Sequence, residues 1–87
     1  MKPLSPVDRL ICKHALETLD TVAAGLPPRT LFDQVERIIG TSIDDAHRAE
    51  IAAYLRDREW AYSYTDRLTG AQCLAVRQSG ILAAAAL

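Results

Sequence analysis

Cysteine is scarce in this 87-residue chain: only Cys12 and Cys73 are present, far apart in sequence and with no paired spacing or flanking His or carboxylate cluster. That excludes a disulfide framework, a redox motif and a metal-ligand spacing, and leaves two free thiols as the expectation. A surplus of positive charge is missing too. Ten basic and eleven acidic residues leave a net charge of -1 and a pI near 6.0, so no global field draws the chain to a polyanion. The longest apolar run is ILAAAAL at the C-terminus, far short of the roughly 20 residues that cross a bilayer. The start MKPLSPVD carries no apolar h-region. A soluble, cytoplasmic chain with no membrane partner is the expectation. There is also no Gly-rich phosphate loop and no nucleophile-base pair. Neither an enzyme, nor a cofactor, nor a small-molecule ligand is therefore expected.

What is present reads as one small folded domain over residues 1–87. Hydrophobic residues make up 49% and charged ones 24%, the balance of an ordinary globular protein. A chain this short buries only ~60–65% of its unfolded surface, so a single core is required. Ser5 can cap a first helix, Pro6 suits its first position and Asp8 its positive end. Val7, Leu10, Ile11, Ala15, Leu19 and Val22 then recur at helical spacing, until Ala24-Gly25 and Leu26-Pro27-Pro28 end the helix. Leu31, Phe32, Val35, Ile38 and Ile39 mark a second helix over 29–39, stopped by Gly40. Ser42 with Asp45 predicts the cap of a third, which runs through His47, Ile51, Tyr54 and Leu55 to about Glu59.

Tyr62 and Tyr64 alternate with small residues, Asp66 to Gly70 supplies turn chemistry, and Leu74 and Val76 alternate with Cys73 and Ala75. This predicts a β-hairpin whose Leu74/Val76 face packs against the helices. A short helix from Gly80 closes the chain. The fold class expected is mainly α with a small antiparallel β-hairpin, and the expected core unites Ile11, Leu19, Val35, Ile38, Ile51, Leu55, Leu74 and Val76, with at least one of Tyr62 and Tyr64.

Three helices, a two-stranded wing and a short C-terminal helix resemble the winged helix-turn-helix superfamily from about Val7 to Ala85. Leu55 through Tyr62 resembles the family's third-helix end, with an aromatic, Trp60, opening the first wing strand. Leu74 through Ala83 resembles its second wing strand and final turn. Glu59 departs from the pattern, standing where the family commonly has glycine. The resemblance implies that the N-terminal half of the third helix, here carrying Asp44, Asp45, His47 and Arg48, faces a DNA major groove. Arg48 is then the base or phosphate contact on that helix, and a carboxylate there can accept from cytosine. Wing arginines in the superfamily reach phosphate or the minor groove, which points to Arg67 and Arg77, with Arg56 and Arg58 nearby.

Each of these residues also has a plainer role. The arginines can pair locally, Arg56 or Arg58 with Asp57 or Glu59 and Arg67 with Asp66. Asp44 and Asp45 are adjacent, hence about 100° apart on a helix, and stabilise its N-terminus rather than form an acid/base pair. His47 shares a stripe with Ile51 and Leu55 and reads as a structural histidine. The leading functional expectation is a small DNA-binding module, a transcriptional regulator or phage-type accessory protein. The alternative is a winged helix used for protein contact or homodimerisation, through the acidic third-helix start and the apolar tail; near-neutral charge favours it.

Overall fold

The computed structural model describes residues 4–87, so the first three residues of the MKPLSPVD start lie outside it. The element order is α1 (Pro6–Asp20), α2 (Pro28–Ile39), α3 (Asp45–Asp57), β1 (Ala61–Thr65), β2 (Gln72–Val76) and α4 (Gln78–Ala86). The chain is thus mainly helical with one antiparallel hairpin.

Local chemistry accounts for most boundaries. Ser5 caps α1, its hydroxyl accepting from the Asp8 amide at 3.1 Å, with Pro6 in the first turn. The helix ends earlier than the glycine suggests, at Asp20, and residues 21–24 form turns that deliver Gly25 at φ 80°. Gly40, at φ 72°, closes α2 in the left-handed conformation. The cap of α3 is Asp44 rather than Ser42: its carboxylate accepts from the His47 amide at 2.7 Å. The helix starts two residues later than expected because Ile43 is buried in the non-helical link before it. Its amide donates to Glu36 Oε2 at 2.6 Å.

One cluster of buried side chains draws on every element except the tip of the hairpin. It includes Ile11, Leu16, Leu19, Leu31, Phe32, Val35, Ile51, Leu55 and Leu74. Of the expected core, Val76 is half-buried against this cluster, and Ile38 is not in it, being 53% exposed. On α2 the inward stripe is Leu31, Phe32, Val35 and Ile39, and Ile38 falls on its flank. Val7 and Leu10 are exposed as well, since the inward stripe of α1 runs through Ile11, Cys12, Ala15, Leu16 and Leu19 and begins a turn later. Val22 is half-buried in the turn after α1.

The hairpin pairs Ala61 with Val76 through Thr65 with Gln72. Leu74 and Val76 face the helices as expected, and Tyr62 and Tyr64 share the opposite face with Ala75 and Cys73. Neither tyrosine therefore belongs to the core: Tyr62 is exposed and Tyr64 half-exposed. Leu26 adds a one-residue bridge on the other side of β2, exchanging bonds of 2.9 and 2.8 Å with Leu74.

The exit from α3 is made without glycine, and it is strained. Glu59 sits at φ 61°, the left-handed region, and is the single non-glycine residue there among the described residues. Its carbonyl accepts from Ser79 Oγ at 2.6 Å and the next amide, Trp60, bonds back to Leu55 at 3.0 Å, so the geometry is held from both sides. Left-handed backbone costs an L-residue roughly 1–2 kcal/mol, partly offset in glycine by its greater unfolded-state entropy. Glu59→Gly is expected to stabilise the chain by about 0.5–1 kcal/mol, read as a higher denaturation midpoint with an unchanged m-value.

Candidate functional site

The five residues singled out from sequence fall into two groups. Asp44, Asp45 and Arg48 come together at the start of α3. Arg67 lies in the wing turn and Arg77 at the far end of β2, separated by about the length of a five-residue strand, ~17 Å.

At the start of α3 the two carboxylates serve the helix. Asp44 is the cap, and Asp45 lies in the first turn, where the helix dipole favours negative charge. Arg48 turns back toward α2. Its Nε donates to the Ile43 carbonyl at 2.8 Å, Nη1 to Asp33 at 3.0 Å and Nη2 to Glu36 at 2.5 Å. The planar fork of the guanidinium spreads its donors over three nitrogens and so reaches three separated acceptors at once. Its side chain keeps only 15% exposure. Arg48 thereby fastens the α2–α3 turn, with three of its five N–H donors bonded within the chain. What remains exposed on the first two turns of α3 is Asp44, Asp45, Ala46, Ala49 and Glu50, with no exposed cation among them.

His47 has a partner that the sequence does not announce. Its Nε2 lies 2.7 Å from Asp8 Oδ1, which ties the first turn of α3 to the first turn of α1. The two residues are 39 positions apart, so no local spacing signals the pair.

Two of the remaining arginines, Arg58 and Arg77, stack rather than pair. Arg58 lies over the rings of Tyr54 at 5.2 Å and Trp60 at 5.9 Å, and Arg77 lies over Tyr62 at 5.0 Å. Such contacts contribute about 0.5–1 kcal/mol at exposed sites. Tyr54 and Trp60 meet edge-on at 5.9 Å, and Tyr62 and Tyr64 are 6.2 Å apart. Arg67 is exposed in the turn, and Asp66 beside it accepts from the Leu68 amide at 2.8 Å instead. None of Arg56, Arg58, Arg67 and Arg77 has an ion-pair partner among the described residues.

An open groove of about 690 Å³ between α2 and α3 is lined by Phe32, Ala49 and Ala52 together with Arg29 and Arg56. Both cysteines are free and buried. Burial, with Asp8 nearby, pushes the Cys12 thiol up to about 12, so it stays protonated at neutral pH and is neither nucleophile nor ligand. Among the described residues no cluster of three metal-ligating side chains exists, and no helix is long and apolar enough to cross a membrane.

No family model matches the chain, and neither a curated protein nor a solved structure matches it.

Proposed function

We propose that the chain is a winged-helix module that works by protein contact. In this reading α1 to α3 are the helical core, β1 and β2 the wing, and α4 the closing helix of a single domain. The observation that carries it is the outward surface of α3, where Asp44, Asp45 and Glu50 are exposed while Arg48 is bound to Asp33 and Glu36. A helix entering a groove between phosphates needs donors, and each uncompensated carboxylate near a phosphate costs about 1 kcal/mol at 4 Å even in bulk water. The net charge of -1 offers no compensation. The wing instead displays tyrosine and arginine, residue types enriched at the energetic centres of protein interfaces.

DNA binding is the second reading, favoured by Arg67, which is exposed at the wing turn without an ion-pair partner among the described residues. With about three phosphate contacts, log K would fall against log salt with a slope of roughly -3. Arg67→Ala and Arg77→Ala would each take about one unit off that slope. Titrating a labelled random-sequence duplex at low salt decides between the two. The expected result is no complex at tens of micromolar protein. A complex with that slope, weakened by loss of both wing arginines, would establish the DNA reading and overturn protein contact.

A further inference from the structure

The two long edges of the wing are treated differently. Beyond β2 lies Leu26, which takes up both the amide and the carbonyl of Leu74. No strand or loop among the described residues bonds to the outer edge of β1, although Ala61 at its start is buried. The ladder is bracketed by Arg77 N–H donating to Trp60 O and by Asp66 N–H donating to Ala71 O, each at 2.8 Å. Hydrogen-bonded pairs alternate along an antiparallel ladder, so Tyr62 and Tyr64 bond to β2 while Ala61, Ser63 and Thr65 turn their amides and carbonyls outward. Ser63 and Thr65 are exposed.

Exposed edges are ordinarily blunted by charge, proline or a bulge. The strand AYSYT has no charge and no proline, and its register with β2 runs unbroken.

Resting on the protein-contact reading, we propose that this edge pairs with β1 of a second copy of the chain, antiparallel, with the two-fold axis at Ser63. The two Ser63 residues then exchange a pair of main-chain bonds. Tyr62 of each copy stands opposite Tyr64 of the other, an aromatic cross-strand pair repeated twice. The two hairpins become one four-stranded sheet.

The charges identify the occupant as a second copy. An isologous contact must be self-complementary, and positions equidistant from the axis meet each other. Glu59 and Arg67 are equidistant from Ser63 in the sequence and of opposite sign. Both are exposed, and neither has an ion-pair partner among the described residues. Just beyond the strand ends, Glu59 of each copy approaches Arg67 of the other, giving two attractive pairs and no repulsive one.

Sedimentation velocity from low to high micromolar concentration tests this, and a monomer–dimer equilibrium is the expected result. Ser63→Pro removes an outward amide that the hairpin does not use, so it spares the fold and raises the dimer dissociation constant about tenfold or more. Arg67→Glu raises it as well, and adding Glu59→Arg to Arg67→Glu restores it toward the parent value. Should Ser63→Pro disturb the hairpin by circular dichroism, the charge-swap pair decides alone. A parent that stays monomeric at high micromolar concentration overturns the proposal, as does a dimer indifferent to both Ser63→Pro and Arg67→Glu. A monomer that also ignores duplex DNA overturns only the second copy and leaves protein contact standing. Duplex binding that depends on the wing arginines removes protein contact itself.

Discussion

Leu55→Ala lowers stability by about 2–5 kcal/mol, the range for a fully buried leucine whose site cannot collapse. Leu55 has no exposed surface and sits on the inward stripe of α3 with Ile51 and Ala52, inside the cluster that also holds Leu19, Phe32 and Leu74. For a chain of this size each kcal/mol moves the thermal midpoint by roughly 4–8 °C. The variant should therefore melt at least 8 °C below the parent, by about the low end of both ranges. Two controls separate burial from mere apolarity. Leu68 at the wing tip is 95% exposed and Ile38 on α2 is 53% exposed. Leu68→Ala should leave the midpoint unchanged, and Ile38→Ala should cost far less than Leu55→Ala. If Leu55→Ala melts with the parent, the core is not arranged as described.

Ile38 also shows where sequence reasoning reaches its limit. Periodicity finds a helix and the general direction of its apolar face, which is why α2 and its Gly40 stop were legible. It does not say which flank the neighbouring elements cover, and Ile38 and Ile39 fit the pattern almost equally. The start of α3 shows a second limit. Ser42 and Asp44 are both competent caps, and the choice between them is made by Ile43, which lies outside the helix with its side chain buried and its amide bonded to Glu36.

The candidate site was the least legible part. Arg48 stands at the position from which the superfamily resemblance directs a side chain outward, yet its acceptors Asp33 and Glu36 are 15 and 12 residues back on another helix. Pairings of that length, like His47 with Asp8, are products of tertiary docking. The strained exit from α3 was half-visible. Glu59 could be seen in glycine's place, but the Ser79 bond that helps to hold it comes from α4.

Gly80→Ala is expected to destabilise the chain by about 2–3 kcal/mol, against what helix propensity alone would give. Gly80 lies inside α4, where replacing glycine by alanine ordinarily gains roughly 0.5–1 kcal/mol. Here a β-carbon would stand 2.1 Å from the Trp60 carbonyl oxygen and 2.9 Å from Val76 Cγ2. The oxygen cannot easily swing away, because it accepts the Arg77 amide at 2.8 Å and so closes the base of the hairpin. Either that bond breaks or α4 lifts from the sheet, and overpacking of this kind typically costs 1–3 kcal/mol or more. Gly70→Ala makes the opposite case. Gly70 has φ 73° with open space around it, so the substitution meets only the left-handed penalty, about 1 kcal/mol, and its effects stay in the turn. Urea unfolding of the two variants, with NMR of the Trp60 and Arg77 amides, distinguishes steric from conformational cost. Gly80→Ala should perturb both amides and Gly70→Ala neither. A Gly80→Ala variant as stable as the parent would mean that α4 does not dock on the Trp60 carbonyl.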